Sequence, residues 1–115
     1  MTEISDLIDR YRRLLIEWWE IPHKPALANR LYLENRKIYR ILCESESGRL
    51  AISELMRDPL VAVRLTAASQ SLSWNPVEAE RTLETIEQAD NVGPAAFSAK
   101  YVLLGWRDGS FNPAW

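Results

Sequence analysis

Cysteine and histidine each occur once in this chain of 115 residues, as Cys43 and His23, and glycine occurs only four times. A lone cysteine closes no internal disulfide and fits a reducing compartment. A metal centre gathers several His, Cys or carboxylate ligands, and one of each in different segments does not supply them. A Cys–His nucleophilic pair would also need a third group to orient the His, and nothing in the spacing provides one. No catalytic residue, metal or other cofactor is expected. Cys43, beside Leu42, reads as a small core residue, and His23 as a polar residue of a proline-rich turn. The glycines are too scattered for a phosphate-cradling loop. Apolar runs fall short of the roughly 20 residues that span a bilayer. Met1-Thr2-Glu3-Ile4-Ser5-Asp6 lacks the basic stretch and apolar core of a signal peptide, so a cytoplasmic address is expected. An excess of one charge is missing too. The net charge of −2 makes no global case for nucleic acid or an anionic membrane. The balance is uneven, at +2 over residues 1–43 and −4 over residues 44–115.

What the chain does have is helical periodicity. The 47% apolar and 26% charged residues are those of an ordinary globular domain. Ile4, Leu7, Ile8, Tyr11, Leu14, Leu15 and Trp18 recur at three- and four-residue steps, predicting a first amphipathic helix that ends before Ile21-Pro22-His23-Lys24-Pro25. A second helix is expected over Pro25 to Cys43, with Leu27, Leu31, Ile38, Ile41 and Leu42 as its inner stripe. Ser45-Glu46-Ser47-Gly48 reads as a break and residues 49–57 as a short third helix. Asp58-Pro59, Asn75-Pro76 and Gly93-Pro94 then mark three helix starts, with prolines 17 and 18 residues apart. Asp or Asn caps free N–H groups, and proline suits the first helical position. Glu78, three residues after Asn75, suggests a capping box. The sixth helix is apolar nearly all round and is expected to be the most buried, with Gly109 as its cap and Gly105 a site of close helix packing.

The expected fold is all-α, with about six helices in three antiparallel hairpins. Residues 1–109 read as a single helical-repeat domain and 110–115 as a C-terminal tail. Asp58-Pro59-Leu60-Val61-Ala62-Val63-Arg64-Leu65-Thr66-Ala67-Ala68 resembles the second-helix signature of HEAT and armadillo-like repeats. The resemblance implies a short right-handed α–α superhelix in which Asp58, Pro59 and Arg64 serve packing between repeats, with Arg64 tied to an acidic cap of a neighbouring repeat. With Asn75-Pro76, Pro94-Ala95-Ala96 and the ending Gly105-Trp106-Arg107-Asp108-Gly109, the chain is similar to a family of short bacterial helical proteins catalogued as a domain of unknown function. That resemblance covers roughly residues 49–109 and implies structural roles for Asn75, Pro76, Pro94 and Trp106. It brings a fold and no established activity.

Stacked hairpins build surfaces more readily than clefts. Carboxylate pairs such as Glu17 with Glu20, or Glu78 with Glu80, sit on expected solvated faces. Arg30, Arg36, Lys37, Arg40, Arg64, Lys100 and Arg107 lie on even-numbered helices and converge if those helices line a concave side. Glu78, Glu80, Glu84, Glu87 and Asp90 give the fifth helix an acidic face opposed on that helix only by Arg81. Five tryptophans are many for this length. Trp18 and Trp106 are expected on buried stripes. Trp19 and Trp74 are open to two uses, sealing the ends of the fold or anchoring a partner, a homodimer included. Trp115 is expected to dock back on the core. The expected function is binding of another protein without catalysis, of which an immunity or antitoxin type is one form. A nucleic-acid-binding module using a basic concave face is the alternative, and no membrane association is expected.

Overall fold

The computed structural model describes residues 3–20 and 24–112. Among them are six α-helices and no strand: α1 (Ile4–Glu20), α2 (Pro25–Cys43), α3 (Glu46–Glu54), α4 (Val61–Ser71), α5 (Pro76–Gln88) and α6 (Pro94–Asp108). A 3-10 turn, Leu55–Arg57, continues α3. The chain divides into two compact units, residues 1–52 and 53–115. His23 and Trp115 lie outside the described residues.

In the first unit α1 packs on α2. Leu7, Tyr11, Leu14 and Leu15 of α1 are buried, as are Leu31, Asn35, Ile38, Tyr39 and Leu42 of α2. Two apolar residues expected inside are not there. Trp18 is exposed because the buried stripe of α1 stops at Leu15, one turn short of the helix end, and there Trp18 and Trp19 pack edge to face with ring centroids 5.6 Å apart. Ile41 is exposed because it lies about 100° round the helix from Leu42. Asn35 breaks the apolar stripe of α2, and its buried Oδ1 has no hydrogen-bond partner among the described residues. Burying an amide unpaired costs stability.

Helix α3 starts earlier than expected. The Gly48 N–H donates to Ser45 Oγ at 3.0 Å, so Ser45 caps the helix, with Glu46 in its first turn. Gly48 is therefore no helix break. It is buried against the end of α2, where an added Cβ would lie 1.9 Å from the Leu42 carbonyl oxygen. Arg49 ties the same junction by donating from Nη1 to the Cys43 carbonyl at 2.8 Å.

In the second unit α4 packs against the 3-10 turn, α5 and α6, and α5 packs on α6. Asp58 does not cap α4: its Oδ1 accepts the Leu60 N–H at 2.9 Å in the turn ahead of the helix, which begins at Val61, with Leu60 as N-cap, and not at Pro59. Arg64 turns back on its own segment. Its Nη1 donates to the carbonyls of Asp58 and Pro59 at 2.8 and 2.9 Å, in place of the expected tie to a neighbouring repeat. Pro76 and Pro94 open α5 and α6 as expected. Asn75 makes no side-chain cap, because its Nδ2 donates to Glu78 Oε2 at 3.0 Å. At the chain's C-terminal side Gly109 takes φ 84°, the left-handed cap that favours glycine. The atoms nearest to the bare Cα side of Gly105 belong to the chain that follows α6. That bare Cα lets Ser110 and Phe111 fold back over it, an added Cβ there lying 2.9 Å from Phe111 Cβ.

Helix α6 is not the most buried one. Its inner face is Ala95, Ala99 and Leu103, while Phe97, Tyr101 and Leu104 are exposed and Trp106 is half-buried. The small side chains bring the α6 backbone close to its neighbours, which turns the large ones outward.

Candidate protein-binding groove

Helix α2 has two apolar faces. The first is the core stripe. The second passes through Leu33 and Ile41, which are 45% and 48% exposed, with Arg30 and Lys37 interleaved. Residues 30, 33, 37 and 41 follow at three- and four-residue steps and so share one side of the helix. Together with Leu7 and Arg10 of α1 they line an open groove of about 740 Å³. Arg10 is paired with Glu34, which neutralises one side of it. Arg30 and Lys37 make no ion pair among the described residues, and they stand about 10 Å apart along the helix axis, seven residues at the usual rise. The groove thus offers an apolar strip interleaved with two cations that make no ion pair among the described residues.

The basic residues of the sequence reading do not form one set. Arg30 and Lys37 share the groove. Arg36 and Arg40 do not line it, and Arg36 is half-buried and already engaged. Lys100 is exposed on α6, in the other unit. Arg107 is committed to Glu84 at 2.7 Å and Glu80 at 3.7 Å. Arg57 meets Glu78 at 3.3 Å. The acidic face of α5 is consequently opposed by Arg57 and Arg107, and not by Arg81 alone. Trp19 is exposed, but Trp74 is half-buried and its Nε1–H donates to Ser53 Oγ at 2.9 Å. Ser53 Oγ in turn donates to the fully buried Ser71 Oγ at 3.1 Å. Trp74 is therefore a structural anchor within its unit. One residue of the groove, Leu33, was not singled out from sequence, although the step from Arg30 to Leu33 to Lys37 places it beside the cations.

Three titratable groups cluster in the first unit. Burial raises the Tyr11 hydroxyl well above the ordinary tyrosine value, and the charges of Tyr39 and Cys43 push it the same way. Tyr39 is raised chiefly by burial and then by its hydrogen bond to the half-buried Cys43. Burial raises Cys43 as well, opposed by the Tyr39 hydrogen bond and by the charge of Arg49. A raised value in the folded chain means that the native state keeps protons which the unfolded chain gives up. Stability from these groups is complete below the unfolded value and is lost as pH rises past it. The unfolding free energy measured in urea is thus expected to fall as pH climbs above about 10, the unfolded tyrosine value, and Tyr11→Phe to flatten that fall. Among the described residues no group of three or more His, Cys, Asp or Glu gathers as a metal would need, and no helix is long and apolar enough to cross a membrane.

No protein-family model matches the chain, and no curated protein matches it. A solved structure does. The crystal structure of the protein RPA1889 from Rhodopseudomonas palustris CGA009 is 28% identical, with a TM-score of 0.86 over 98% of this chain and 95% of that one. The fold is shared with a bacterial all-helical protein along nearly its whole length. That protein's description names no activity, so the comparison extends to architecture.

Proposed function

We propose that this chain is a non-catalytic, cytoplasmic protein-binding module of HEAT-like character, whose α1–α2 groove takes an amphipathic, acid-bearing segment of another protein. One observation carries the reading. Leu33 and Ile41 stand half-exposed in a groove where they alternate with Arg30 and Lys37, two cations without an ion pair among the described residues. An apolar strip recognises the apolar face of a partner helix, and the interleaved cations select carboxylates on that helix. A module that occludes a toxin domain, as immunity and antitoxin proteins do, is one form such binding takes.

The experiment is capture of partners on the tagged chain with and without nuclease, followed by titration of the captured protein against two variants. Arg30→Glu with Lys37→Glu is expected to weaken a nuclease-resistant partner by roughly tenfold or more, and Leu33→Asp to abolish detectable binding. Helix content and urea midpoint should match the parent, because all three side chains are solvent-facing. If the charge reversal instead removes a salt-sensitive shift of an oligonucleotide, the groove belongs to nucleic acid. Unchanged partner affinity in both variants rejects the groove.

A further inference from the structure

Helix α6 presents a separate apolar stripe, and its charges are placed to pair with a copy of itself. Phe97, Tyr101 and Leu104 are 61%, 59% and 49% exposed and follow at four- and three-residue steps, so they share one side of the helix. Phe97 and Tyr101 pack edge to face with centroids 4.8 Å apart, which presents them as one unit. Lys100 precedes Leu104 by four residues and Asp108 follows it by four, and both are exposed. Within one helix those two charges are about 12 Å apart along the axis, too far to meet. An antiparallel partner reverses their order. Two α6 helices that cross at Leu104 set Lys100 of each against Asp108 of the other, twice, and bring each Phe97 to the Phe111 end of its partner.

We infer that α6 is a self-association helix, which packs antiparallel on α6 of a second copy with Leu104 at the two-fold axis. Such an isologous contact needs a patch complementary to itself, and the Lys100–Leu104–Asp108 order meets that requirement. The local charges leave the pairing open. Lys100 makes no ion pair among the described residues. Arg107, the other cation near Asp108, is held by Glu84 and Glu80. Hydrogen bonds from Ser110, whose N–H reaches Oδ1 at 2.8 Å, hold the exposed Asp108 carboxyl below the usual carboxylate range. Three large anchors on one helix make a small contact, so the dimer is a weak one. The inference does not depend on the α1–α2 groove, which lies in the other unit.

Sedimentation velocity over a concentration series reaching the high micromolar range tests it, with circular dichroism to check that each variant folds. The full chain should move toward twice the monomer mass. Leu104→Glu should hold it at monomer throughout. Lys100→Asp should weaken dimerisation by roughly tenfold, since each reversal is felt twice at a two-fold contact. Combining Lys100→Asp with Asp108→Lys should restore most of the loss, an outcome that a generally sticky surface does not give. A parent chain that stays monomeric to the top of the series overturns the inference. So does a dimer that Leu104→Glu leaves intact, or a double swap no better than Lys100→Asp alone.

Discussion

Gly48→Ala is expected to lower stability by about 3 kcal/mol, although alanine is the better helix former by about 1 kcal/mol. The added Cβ would lie 1.9 Å from the Leu42 oxygen, 2.6 Å from its carbonyl carbon and 2.8 Å from its Cα. All three atoms are backbone, so no side chain can swing aside. Relief requires the start of α3 to move off the end of α2. That movement breaks the Ser45 cap and the Arg49–Cys43 bond, each worth about 1 kcal/mol, on top of the strain that remains. Urea unfolding checks it. The midpoint should fall at an unchanged slope, and Gly109→Ala, where only a φ of 84° must be tolerated, should cost about 1 kcal/mol. A neutral Gly48→Ala would mean that the two helices do not meet here.

In α6 the expected effects run against residue size. Ala99→Leu should cost about 2–3 kcal/mol, because Ala99 is fully buried and its small side chain lets the helix lie close to its neighbours. Phe97→Ala should cost under about 1 kcal/mol, because most of that ring already faces solvent. Thermal unfolding of the two variants side by side decides the matter. If Phe97→Ala proves the more damaging, α6 is rotated by half a turn from the arrangement described.

That pair also marks where the sequence was legible. α1 and α2 alternate apolar and charged residues cleanly, and Pro22 and Pro25 punctuate the junction between them, so both helices lie where the periodicity puts them. α6 has apolar residues on every side, and periodicity then carries no direction. Hydropathy ranks Phe97 and Tyr101 above Ala95 and Ala99, yet close backbone approach needs the alanines. Gly48 misleads for a related reason. Glycine reads locally as a helix breaker, while its role here is set by the Leu42 carbonyl, six residues away in another helix. For the groove, the count of cations on α2 was legible, but spacing alone does not separate Arg30 and Lys37 from Arg40, which is three residues from Lys37 and seven from Leu33. The choice between the two uses of Trp74 was not legible, because its partner Ser53 is 21 residues distant.

The paired indoles at the end of α1 have an optical consequence. Trp18 and Trp19 are held with their rings at 86° and their centroids 5.6 Å apart. At that separation the strong ultraviolet transitions of two indoles couple, and a fixed, chiral arrangement turns the coupling into paired circular dichroism bands of opposite sign. Those bands overlap the helical signal. Far-ultraviolet ellipticity of this protein therefore reports two things at once, the helices as a whole and the last turn of α1. Fraying of that single turn changes the spectrum while every other helix is still formed.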